Sequence, residues 1–165
     1  MKRTITVLIS FALLMTVAVP AALASPARVL TKPTIDRFIK DFPAMQVEFE
    51  ALGDKTMESI ESLGSDEESV EYSAESLRKA LNTAMADVKI KAILKRYGWN
   101  DTFVDVYLAI VSSCSYLAFE EVYNAYPMPE YKQYLDQVRA TVHPDDIAIV
   151  KANKVAIDRV LNAVD

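Results

Sequence analysis

One cysteine, one histidine and three glycines are all that 165 residues contain of these types. Each shortage excludes something. A disulfide framework needs cysteines in pairs, so Cys114 cannot staple the chain and the fold must hold by packing. Zinc draws its ligands mainly from Cys and His, and here only Cys114 and His143 could serve. A Cys–His nucleophile pair would have to be Cys114 with His143. Cys114 lies in the most apolar part of the chain, where a thiol behaves as a small hydrophobe, so it is expected to be buried and inert. Gly53, Gly64 and Gly98 stand singly, whereas a phosphate-binding loop needs clustered glycines whose amides approach the anion. The inventory therefore implies no cofactor, no metal and no enzyme.

Basic residues are also in short supply, with 18 Lys and Arg against 23 Asp and Glu and a net charge of −5. Nucleic-acid binding rests on Lys and Arg neutralising phosphates, so no nucleic-acid partner is expected. An anionic membrane surface is disfavoured for the same reason. Strand signals are scarce too: no alternating polar and apolar run is bounded by turn pairs.

What the chain does have begins at its start. Lys2 and Arg3 precede an apolar run from Ile5 to Val19, Pro20 breaks it, and Ala22-Leu23-Ala24 offers small residues to a signal peptidase. The apolar core falls short of the ~20 residues of a spanning helix. Residues 1–24 therefore read as a signal peptide cut after Ala24, with 25–165 as one exported domain. No cysteine follows Ala24 to take a lipid, so the product is expected in the periplasm or secreted, without a stable membrane anchor.

Beyond residue 31 apolar residues recur at helical spacing in almost every segment. Ile35, Phe38, Ile39 and Phe42 define a first helix over about 31–42, with Pro43 ending it and opening a second. Met45, Phe49, Leu52, Ile60 and Leu63 mark that second helix, weakened at Gly53 and closed by Gly64. The acidic stretch 65–72 reads as an exposed loop. Ser73 caps a third helix running to Tyr97, buried along Leu77, Leu81, Ala84, Met85, Val88, Ala92 and Ile93, with Gly98 just past its end. Asp87 and Lys91 read as a supporting charge pair on it.

Asn100 and Asp101 open a fourth helix reaching about Tyr126, and Trp99 with Val104 has the spacing of a hydrophobic staple. This helix is apolar nearly all round, which suits the centre of a bundle. Asp105, Glu120 and Glu121 make its insertion in a membrane costly. Pro127 and Pro129 turn the chain into a fifth helix, about 130–141, and His143-Pro144-Asp145-Asp146 starts a sixth that runs to the C-terminus. The fold class is all-α, a single compact bundle of about six helices around a buried central helix at about 100–126.

Six of the eight tyrosines fall close together: Tyr107, Tyr116, Tyr123, Tyr126, Tyr131 and Tyr134. A ring with a polar tip suits a pocket rim or a partner interface, so these six are the candidate pocket or interface. Tyrosine can also ligate haem iron, with Met128 or His143 as second ligand, but packing of a large central helix is the plainer use. The function expected is that of a small exported helical protein without enzymatic activity, an interaction or envelope-accessory protein with an unknown protein partner. The alternative is a carrier of a small apolar ligand held in the bundle.

Overall fold

In the computed structural model, residues 26–52 and 74–162 are described. They form seven helices: α1 (Lys32–Glu50), α2 (Ala74–Ala84), α3 (Val88–Arg96), α4 (Thr102–Ala125), α5 (Pro129–Thr141), α6 (Pro144–Ala152) and α7 (Lys154–Leu161). The expected signal peptide, the Gly53–Gly64 half of the second helix, the acidic loop and the Ser73 cap lie outside the described residues. The all-α bundle itself is what the described chain forms.

α1 starts where Thr31 caps it, its side chain accepting the Thr34 N–H, with Pro33 in the first turn. Contrary to the boundary expected at Phe42, the helix runs through Pro43 to Glu50. Proline there forfeits one hydrogen bond and costs roughly 3 kcal/mol. Burial of Ile35, Phe38, Phe42 and Met45 along one face on both sides of Pro43 offsets that cost.

The expected third helix is two helices, because Asp87, exposed as it is, turns its side chain to the backbone as a cap. Its Oδ1 accepts the N–H groups of Lys89 at 2.7 Å and Ile90 at 3.2 Å, which starts α3 afresh. α3 ends as Gly98 allows. The Trp99 N–H reaches Leu94 O at 2.8 Å and the Gly98 N–H reaches Lys95 O at 2.9 Å, with Gly98 at φ +70°. That pairing satisfies the last carbonyls and requires the left-handed backbone.

α4 opens on Asn100, whose Oδ1 accepts from the Thr102 N–H at 3.1 Å and the Thr102 hydroxyl at 2.8 Å. Its first two-thirds are enclosed, with Phe103, Val104, Val106, Leu108, Ala109, Ile110, Ser113 and Leu117 buried. α2, α5 and α6 pack against it, while α1 packs on α3 and α7. The staple expected between Trp99 and Val104 is replaced by a ring contact: Trp99 meets Phe103 edge-on at 5.5 Å. Val104 is buried outside the cluster that holds Trp99.

The expected sixth helix also divides. Asn153 donates from its side-chain amide to Ile149 O at 2.8 Å and takes a non-helical backbone. The turn there re-aims the apolar face, so Val150, Ile157 and Val160 all reach the core.

Candidate functional site

The six tyrosines do not share one surface. Tyr107 stands inside the core, 5.9 Å from the Phe42 ring, 6.1 Å from Phe103 and 6.5 Å from Phe38, and burial raises its hydroxyl pKa. Tyr131 and Tyr134 meet Phe119 across the α4–α5 junction, with centroids at 6.4 and 4.0 Å. Burial raises the Tyr134 pKa, opposed by its hydrogen bond with Ser115. Phe119, absent from the sequence-level candidates, is the residue that joins these two rings. Tyr116 and Tyr123 lie half-buried one turn to either side of it. Burial and then Glu120 raise the Tyr116 pKa. Tyr126 is 69% exposed beyond the helix end, with Val122 at 40% and Met128 at 43% beside it in the chain. The α4–α5 tip is thus an apolar projection edged by tyrosines.

A separate cleft of about 460 Å³ opens at the other end of α4. Ala27 and Val29 of the extended N-terminal strap form one wall, and Leu108, Ala109 and Ser112 of α4 form another. Arg78 of α2 and Asp105 of α4 pair across its side. Thr141, Val142, His143 and Asp146 close it at the α5–α6 junction. None of the six tyrosines lines it.

The polar groups of this cleft have assigned tasks. Asp146, 1% exposed, accepts the Leu30 N–H on Oδ1 at 2.8 Å and the Val29 N–H on Oδ2 at 3.0 Å. Next to this clamp, Arg28 pairs with Asp145 at 3.3 Å. His143 caps α6, its Nδ1 accepting the Asp145 N–H at 3.1 Å. In the neutral ring the proton then sits on Nε2.

Cys114 is half-buried and free, its thiol pushed up to about 11 by burial, with Asp158 adding and Lys154 opposing. Among the described residues no three His, Cys, Asp or Glu side chains stand close enough to hold a metal ion. The helix Thr102–Ala125 is long and apolar enough to cross a bilayer, and 44% of its most apolar window is buried inside the chain. Comparison with family models, with curated proteins and with solved structures finds no match.

Proposed function

We propose that this chain is an exported, non-enzymatic protein that acts by binding a protein partner through the α4–α5 tip. The observation that carries this reading is the tip itself. Val122, Tyr126 and Met128 stand in water with Tyr123 at their edge, although the same helix buries Phe103, Val104, Val106, Leu108, Ile110 and Leu117 nearer its start. Exposed aromatic and Met side chains grouped in one place suit the anchors of an interface. Export is supported by the leader-like order of charge, apolar run and small residues in 1–24. A non-catalytic role is supported by how the reactive groups are spent. His143 gives its Nδ1 to a helix cap, and Cys114 is held protonated by burial.

The test is site-specific photocrosslinking in the native host, with the crosslinker at Tyr126 and a control at Val88, which is 80% exposed on α3. A discrete adduct from Tyr126 alone is expected, together with a mature N-terminus at Ser25. Equal or absent adducts at the two positions would defeat the interface. The cleft favours a second reading, a carrier of a small amphiphilic ligand, because its volume falls in the range of small-molecule sites.

A further inference from the structure

We infer that the partner docks on the α4–α5 tip with a basic segment, its apolar side chains over Val122, Tyr126 and Met128 and its Lys or Arg side chains toward Glu121 and Glu130. This rests on the interface reading of the tip and names the chemistry of its partner.

The apolar part is one patch because the chain turns tightly there. The Tyr126 N–H donates to Val122 O at 2.8 Å and the Met128 N–H to Tyr126 O at 2.9 Å, which keeps the three residues together. Residues 124–130 are all exposed. Pro127 and Pro129 fix two backbone angles within this stretch, so little backbone freedom is left to lose on docking.

Charge decides what can cover the patch. Residues 120–136 hold Glu120, Glu121, Glu130 and Asp136 against Lys132 alone. Asp136 takes Lys132 at 2.6 Å, and Lys151 of α6 reaches Glu120 at 3.4 Å. Arg139 sits in the last turn of α5, at the opposite end of that helix. Glu121 acts on Lys154, but that ammonium is bonded to Asp158 at 2.8 Å. Glu121 and Glu130 thus stand exposed without an ion pair among the described residues, and the tip keeps two negative charges.

A second copy docked by the same face would set two such charges against two more. An anionic bilayer would add its own negative surface. Both occupants are opposed. A segment with Lys or Arg beside apolar residues is instead attracted over a Debye length of about 8 Å and supplies the two missing ion pairs at the rim. Exposed pairs add little affinity each, so the apolar patch holds the partner and the two carboxylates select it.

The test is fluorescence anisotropy on the chain as its host produces it, with three labelled amphipathic helical peptides. They share one length and one set of Leu positions, and their remaining positions are all Lys, all Gln or all Glu. Saturable binding of the Lys peptide is expected, about tenfold tighter than of the Gln peptide, because two exposed ion pairs each add a factor of a few. The Glu peptide should not bind. Glu121→Lys combined with Glu130→Lys should weaken the Lys peptide at least about tenfold. Glu50→Gln combined with Asp101→Asn, on α1 and at the start of α4, removes as many exposed carboxylates elsewhere and should change its affinity less than about twofold. Tyr126→Ser and Met128→Ser should each weaken it about tenfold, and all these positions are exposed, so the fold is retained. Preference for the Gln or Glu peptide, lost in Tyr126→Ser, would overturn the basic assignment and leave the tip interface standing. No saturable binding of any peptide, or binding of the Lys peptide that ignores the tip variants, would also overturn the basic segment, and the crosslink at Tyr126 then decides the interface separately.

Discussion

Asp146 accepts the backbone N–H of Leu30 at 2.8 Å although 116 residues separate them. A carboxylate sealed from water is costly unless hydrogen-bonded, and here the strap supplies its partners from backbone. The arrangement ties the start of the described chain to the first turn of α6. It also seats Leu30 in the core beside Ile35 and Phe38. Asp146→Ala would orphan one buried and one half-buried donor and should cost about 2–3 kcal/mol. Asp146→Asn keeps one acceptor, turns an amide donor toward an N–H, and should cost about 2 kcal/mol. Urea unfolding measures both, and a loss under about 0.5 kcal/mol for Asp146→Ala would mean the strap is not clamped.

Gly98 is the second point where geometry leaves little choice. A Cβ there would lie 2.8 Å from Arg37 Nη2, on a backbone at φ +70°. Arg37 is not free to retreat, because it donates to Tyr97 O and lies 4.3 Å over the Trp99 ring. Gly98→Ala should therefore lower stability by about 1–2 kcal/mol, part from the left-handed backbone and part from the displaced guanidinium. In the Arg37→Ala background the second part should vanish, and the cycle measured by thermal melting separates the two. Additive effects would place the whole cost in the backbone.

Trp99 reports on this same corner. Its edge-on partner is Phe103, so Phe103→Ala should shift the emission to the red and cost about 3 kcal/mol or more. Val104→Ala, buried outside that cluster, should leave the emission in place. The opposite pattern would restore the staple that the spacing alone suggested.

Helix termini are the most legible features of the sequence, because a cap is a local event. Asn100, Gly98 and the His143-Pro144 entrance all act within a few residues of where they stand. The breaks at Asp87 and Asn153 were not legible. Each is a polar residue that could equally decorate a continuous helix, and only tertiary packing decides that its side chain turns to the backbone. Pro43 misled in the opposite direction: a local rule gave a boundary that the burial of Phe42 and Met45 overrides. The tyrosine group was compositional, and closeness in chain does not fix which face each ring takes. Tyr107 turned inward and Tyr126 outward. The cleft had no sequence signal at all, since its walls come from residues 27 to 146 and meet only in the fold.

The middle of α4 offers two substitutions of opposite sign. Ile110 is fully buried, and Ile110→Asp places an unpaired carboxylate in the core, which should cost more than about 4 kcal/mol and unfold the chain at ambient temperature. Ser113 is equally buried, and its hydroxyl has no hydrogen-bond partner among the described residues. Ser113→Ala removes that desolvated group and should raise stability by about 1 kcal/mol. A Ser113→Ala variant that melts below the parent would show that the hydroxyl is satisfied in solution.

Cys114 sets the behaviour at high pH. In the unfolded chain a thiol ionises near 9.0, while in the fold burial among apolar groups holds it protonated to about 11. Between those values the unfolded state carries fewer protons than the folded one, so stability is intact below pH 9 and falls as pH climbs through the window. Tyr107, raised by burial in the same way, extends the loss above pH 10. Replacing the thiol by an isosteric apolar group should remove the first part, so Cys114→Val should denature at higher pH than the parent in a base titration followed by circular dichroism. The thiol itself should resist iodoacetamide at pH 8 in the folded chain and react once urea exposes it, because the thiolate is the nucleophile. Rapid alkylation of the native protein at pH 8 would mean that Asp158 and the apolar neighbours do not shield Cys114, and the alkaline loss would then have to come from the tyrosines alone.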